Sequence, residues 1–180
     1  MQICSIFYSL VCGFVWIPHC ANGAFGQNKV AEHFDDEISK YFLQTSKVSY
    51  AKRKANKEGK PLMVLLTRSG CGACQNLKQS VNLGTADGVR RRMNDFITVH
   101  AENNIAQQWQ LEGHGYFPQT YFYAPGEDVP LPIHGQNSKS PYFLYDEATL
   151  VWAMDTALMA VRTGKRSNDD VSEGSSQAEL

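Results

Sequence analysis

An unbroken apolar run, Leu62-Met63-Val64-Leu65-Leu66, ends just before Cys71-Gly72-Ala73-Cys74. Five apolar residues without alternation are the pattern of a parallel strand buried on both faces. Ala73 to Lys78 then reads as the start of a helix, so the chain passes from a buried strand into a helix whose N-terminus carries Cys71. With the strand and helix that follow, that order is α/β in type.

The rest of the chain fits the same class. Val30 to Lys57 sets Phe34, Ile38, Phe42, Val48 and Ala55 among charges, a pattern compatible with helix that Gly59-Lys60-Pro61 ends. Val89 to Met93 reads as helix, Phe96 to Val99 as a second strand and Ile105 to Leu111 as a short helix. Gln119 to Tyr123 alternates as a strand, and Pro125-Gly126 turns the chain toward Val129 to Ile133, predicting an antiparallel hairpin. Pro130 and Pro132 lack an N–H, so this last strand is expected at an edge. Asp146 is the expected N-cap of a helix with Leu150, Val151, Met154, Ala157, Leu158 and Val161 on one stripe, and Gly164 its expected stop.

The chain of 180 residues predicts one domain. Residues 1–23 have the layout of a signal peptide: an apolar stretch from Ile3 to Ile17, then Pro18 and the small residues Ala21, Gly23 and Ala24. No Lys or Arg precedes that stretch, so an uncleaved anchor is the alternative. Three of the five cysteines, Cys4, Cys12 and Cys20, fall in this segment. Cleavage leaves Cys71 and Cys74 alone, which excludes a disulfide scaffold. With 17 basic against 18 acidic residues, nothing attracts nucleic acid, or a membrane beyond signal-peptide targeting. The polar segment 166–180 is expected to be disordered. It ends in Gln177-Ala178-Glu179-Leu180, half of an endoplasmic-reticulum retrieval signal.

A C-x-x-C is a redox pair, half of a zinc site or a structural bridge. His100, His114 and His134 have no close paired spacing, so no metal is expected, and a four-residue loop gives a bridge little entropic value. A redox pair uses the position better. The helix dipole and free N–H groups stabilise a Cys71 thiolate as nucleophile, and Cys74, recessed by one turn, resolves the mixed disulfide. Gly72 and Ala73 leave Cys71 accessible.

The strand, the C-x-x-C and Tyr116-Phe117-Pro118 leading into a strand together resemble the thioredoxin superfamily. Within it, Lys57 to Val64, Cys71 to Cys74 and Gly115 to Pro118 resemble the endoplasmic-reticulum branch of thioredoxin domain-containing protein 12 and the anterior-gradient proteins, over roughly Val48 to Thr163. The resemblance implies a thioredoxin-like three-layer α/β fold, with a central mixed β-sheet flanked by helices. It places the domain at 47–165, after an N-terminal extension at 24–46. It implies a cis bond at Phe117-Pro118, and substrate contacts at Gly70, Gly72, Ala73, Phe117 and Pro118. The implied activity is thiol–disulfide oxidoreduction on protein substrates with thiols or disulfides, without a cofactor. It would operate in the endoplasmic-reticulum lumen, or alternatively outside the cell, with a redox-recycling partner. A non-catalytic client-binding module is the other reading. Two departures stand out: Gly70 occupies the place of the usual Trp, and Leu65 that of the buried aspartate of thioredoxin proper, which leaves water or another group such as Glu102 to take a proton from Cys74.

Overall fold

A computed structural model describes residues 33–85 and 87–174, with side chains as far as residue 164. The elements run α1 (Asp36–Ser39), α2 (Val48–Glu58), β1 (Leu62–Thr67), α3 (Gly72–Asn82), α4 (Val89–Met93), β2 (Ile97–Glu102), α5 (Asn104–Gln107), β3 (Gln119–Tyr123) and α6 (Glu147–Gly174). The sheet order is β2-β1-β3. β1 is parallel to β2, with Leu62 opposite Ile97, and antiparallel to β3, with Leu62 opposite Tyr123.

Every residue of β1 is buried, as the apolar run required, and its side chains alternate between two cores. Met63 and Leu65 pack with Ile38, Leu77, Val81, Met93, Leu150 and Met154, from α1, α3, α4 and α6. Leu62, Val64 and Leu66 pack with Ala51 and Ala55 of α2, Ala106 of α5, and Trp109, Tyr121 and Tyr123. Helices therefore cover both faces of a mixed sheet, the three-layer fold expected. At roughly 1.5–3 kcal/mol per fully buried large apolar side chain, these two cores hold most of the gross folding energy.

Three local expectations change. Val30 to Lys57 is not one helix among the described residues: the chain leaves helix after Ser39, and Phe42 bridges to Thr98 beside the sheet. There Leu43 N–H donates to the Thr98 carbonyl at 2.8 Å, and Thr98 Oγ1 donates to the Tyr41 carbonyl. Phe34, Ile38 and Phe42 are buried all the same, so the extension is part of the core. Gly59 does end α2, in the left-handed conformation at φ 61°. The hairpin strand 129–133 is absent. Between Pro130 and Pro132, Leu131 is left as the donor, and its N–H reaches the Phe122 carbonyl at 2.7 Å, too little to build a ladder. Finally, Asp146 caps α6, its carboxylate accepting from Thr149 N–H at 2.9 Å, but the helix passes through Gly164 to Gly174. One interior glycine costs only about 1 kcal/mol, so Gly164 does not stop the helix, and the segment expected to be disordered from 166 is helical to 174. The expected signal segment and the Glu179-Leu180 end lie outside the described residues.

Candidate active site

β1 delivers the chain to a short loop, Arg68 to Gly70, and α3 begins at once. Cys71 is its N-cap, in extended conformation, and its Sγ accepts the Cys74 N–H at 3.2 Å. A sulfur thus occupies the place where a Ser or Asp oxygen usually satisfies the first free amides of a helix. Cys71 and Cys74 are joined as a disulfide. Cys71 is half-buried, whereas Cys74 is 1% exposed. One sulfur is reachable and the other sits one helical turn inside.

The loop is fixed from the side by Asn103, a residue sequence reasoning did not single out. It adopts φ 54° just after β2, a conformation Asn tolerates better than most residues. Its side chain accepts from Ser69 N–H at 2.9 Å and donates to Ser69 Oγ at 2.9 Å. Its own N–H reaches the Thr67 carbonyl at 3.2 Å.

Of the substrate-contact residues expected, Phe117 comes to the sulfur. The Phe117-Pro118 bond is cis, as the resemblance implied, and the Phe117 carbonyl oxygen lies 3.8 Å from Cys71 Sγ. Pro118 is buried and Phe117 half-buried. Gln119 holds the preceding turn by donating to the carbonyls of His114 and Tyr116 at 2.8 and 2.6 Å. Gly72 is exposed and Ala73 half-buried on the first turn of α3. Gly70 is different in kind from a Trp site that has lost its ring. It adopts φ +71° with open space where a Cβ would stand, so the loop uses a left-handed glycine, and any added side chain would be strained by its backbone. Arg68 supplies the cover instead: its guanidinium carbon lies 5.5 Å from the centre of the Phe117 ring.

Beneath Cys74 lies an ion pair. Lys78, one turn further along α3, is 2% exposed, and its ammonium donates to Glu102 Oε1 at 2.8 Å. Thr67 Oγ1 donates to the same carboxylate oxygen at 3.1 Å and is 2.7 Å from His100 Nε2. Burial opposes ionisation of Glu102, but the Lys78 hydrogen bond and charge outweigh it and hold the carboxyl below its usual range. Burial pushes the His100 imidazole down to about 4, with the Lys78 charge acting in the same direction. Cys74, Lys78 and Glu102 share a cleft of about 190 Å³ with His33, Arg68, Ser69, Gly70 and Gln75. Lys78 was legible in principle, because it falls on the buried stripe Cys74, Leu77, Lys78, Val81 of α3.

The histidines do not converge. His100 belongs to this buried network, whereas His114 and His134 both pack edge-on against the Tyr142 ring, at 5.2 and 5.3 Å. Among the described residues no three His, Cys, Asp or Glu side chains are grouped to hold a metal ion.

An accessible sulfur on a helix N-cap, a second sulfur recessed behind it and a proline loop against the first form an arrangement suited to thiol–disulfide exchange. Residues 44–125 match a family model described as thioredoxin-like. With the mixed three-layer sheet and the C-x-x-C at the head of α3, the chain carries a thioredoxin-like domain.

Proposed function

We propose that the protein is a thiol–disulfide oxidoreductase that forms, breaks or isomerises disulfides in other proteins. The observation that carries the reading is the inequality of the two sulfurs: Cys71 is reachable and accepts an amide at 3.2 Å, and Cys74 is 1% exposed. In the reductive direction the Cys71 thiolate attacks one sulfur of a client disulfide, that S–S bond breaks, and the other client sulfur leaves as a thiolate that water protonates. Cys74 then loses its proton and attacks Cys71 Sγ. The mixed disulfide breaks, the client gains two electrons in all, and the Cys71–Cys74 bond closes. Oxidation of a client is the reverse.

Glu102 is the group that takes the Cys74 proton in this reading. The cleft lined by both residues has room for several waters at about 30 Å³ each. Lys78 keeps the carboxylate ionised, so that it can accept the proton and pass it on to the water of the cleft.

The endoplasmic-reticulum lumen is the compartment we assign, and the thioredoxin domain-containing protein 12 and anterior-gradient branch the affiliation. Support comes from the apolar leader, the Glu179-Leu180 end and the motifs at 57–64 and 115–118. Clients are proteins with thiols or disulfides, and a separate redox protein recycles the pair.

Insulin reduction and refolding of a scrambled disulfide protein test the activity. The wild type should turn over both and Cys71→Ser neither, while Cys74→Ser should accumulate mixed disulfides. If the wild type is as inactive as Cys71→Ser but still retains unfolded clients, the domain is a binder. Fractionation of cells producing the full chain tests the compartment, and efficient secretion would remove the lumenal assignment.

A further inference from the structure

We propose that Arg68 makes the rim of the reactive sulfur cationic and selects disulfides flanked by a carboxylate, which in a client means an Asp or Glu beside the reacting cysteine. The proposal rests on the redox reading above and names its substrate class. Arg68 is tied to the sulfur at both ends of its side chain. Its backbone carbonyl accepts the Cys71 N–H at 3.3 Å. Its guanidinium stands over the Phe117 ring, whose residue places a carbonyl oxygen 3.8 Å from Cys71 Sγ. A guanidinium stacked on an aromatic ring keeps its in-plane N–H groups free to take a carboxylate in bidentate fashion.

The charge at this rim is not neutralised from within. Arg68 is exposed, and among the described residues no carboxylate lies in ion-pair distance of it. Glu102, the acid of the adjoining cleft, is engaged by Lys78 at 2.8 Å. His100, from β2, is held neutral by its burial, and His33 and, in the reduced protein, Cys74 are the other titratable groups on the cleft wall. A chain of formal net charge −1 therefore presents a local positive charge where the client must approach. The chain-wide charge gave no sign of this. An exposed ion pair changes an equilibrium or rate by a factor of about 1.4 to 5, so the effect is one of selection among clients, and salt should screen it.

The test uses full-length reduced protein and three small disulfides: dianionic dithiodipropionate, dicationic cystamine and uncharged hydroxyethyl disulfide. In each case the Cys71 thiolate displaces one thiolate from the probe and forms a mixed disulfide, a reaction any accessible thiolate performs. Any effect of Arg68 on the reactivity of Cys71 itself is common to the three probes and divides out. The ratio of dianion to dication rates should fall by about three- to tenfold in Arg68→Gln, be largely kept in Arg68→Lys, and shrink toward the Gln value in 0.5 M NaCl. Disulfide-linked peptides with Asp, Ala or Lys next to the cysteine, and oxidised glutathione, form the second arm. Preference for the Asp peptide identifies an acidic client segment, and preference confined to glutathione identifies a small acidic disulfide. An unchanged ratio in Arg68→Gln overturns the proposal. A shifted ratio with no insulin turnover would instead leave the rim assignment standing and remove the oxidoreductase reading.

Discussion

Cutting the Lys78–Glu102 pair from its two ends should give unequal results. The Lys78 side chain is 3% exposed and that of Glu102 30% exposed, on the wall of the cleft. Replacing Glu102 by Leu takes from a buried ammonium the carboxylate it donates to at 2.8 Å, and breaking a buried pair from one side costs up to about 3–5 kcal/mol. Replacing Lys78 by Met leaves the carboxylate in contact with water in the cleft and with the Thr67 hydroxyl at 3.1 Å, so the loss is smaller, about 1–2 kcal/mol. Met also fills most of the volume that the lysine stem occupies between Phe34 and the sheet. The Lys78→Met, Glu102→Leu double variant removes both charges and should recover most of the loss, because an apolar replacement for a buried pair is often neutral. Urea denaturation at pH 7, performed separately on reduced and oxidised protein, yields the four stabilities. Single costs equal within about 0.5 kcal/mol, or a double variant at the sum of the two, would falsify the assignment of the buried charge to Lys78.

His100, pushed down to about 4 in the fold, takes up its proton in the unfolded chain first, near pH 6.5. Its contribution to stability is therefore complete above about pH 6.5 and is lost as the pH falls toward 4, by up to about 1.4 kcal/mol per pH unit. Glu102, also lowered, loses its contribution only below the ordinary carboxylate range. Urea titrations at pH 7, 6 and 5 should thus show a slope that His100→Gln flattens, and an identical slope in the variant contradicts the burial argument. Gly70→Ala should lower stability by about 1–2 kcal/mol with no steric clash to relieve, since its φ is +71°; a gain would mean the loop readily leaves the left-handed conformation. In the reduced protein at neutral pH, iodoacetamide should modify Cys71 well before Cys74, and mass spectrometry that finds equal rates would reverse the roles given to the two sulfurs.

What could be read in advance follows from how local each signal is. Leu62 to Leu66 and the C-x-x-C are local patterns with local causes, and β1 and the N-cap cysteine lie where the residues put them. Gly59 and Asp146 were legible for the same reason. The failures involve partners distant in sequence. Phe42 leaves helix because Thr98 offers it a bridge at the sheet, which no periodicity near Phe42 encodes. Residues 129–133 alternate well enough for a strand, yet the donors that a ladder needs are missing at two of the five positions. Asn103 and Arg68 matter through Ser69 and Phe117, contacts that exist only after β2 and the proline loop are placed. Gly70 read as a missing ring because a sequence does not display φ.

The reduction potential of the Cys71–Cys74 pair tests the central claim most directly. Full-length protein equilibrated in glutathione buffers, quenched by alkylation and weighed by mass spectrometry, gives the ratio of dithiol to disulfide at each buffer potential. A reversible pair serving protein substrates should reach a single two-electron midpoint between about −270 and −180 mV, the span from thioredoxin to protein disulfide isomerase. A pair that stays oxidised below about −300 mV behaves as a structural bridge, and that result would contradict the account.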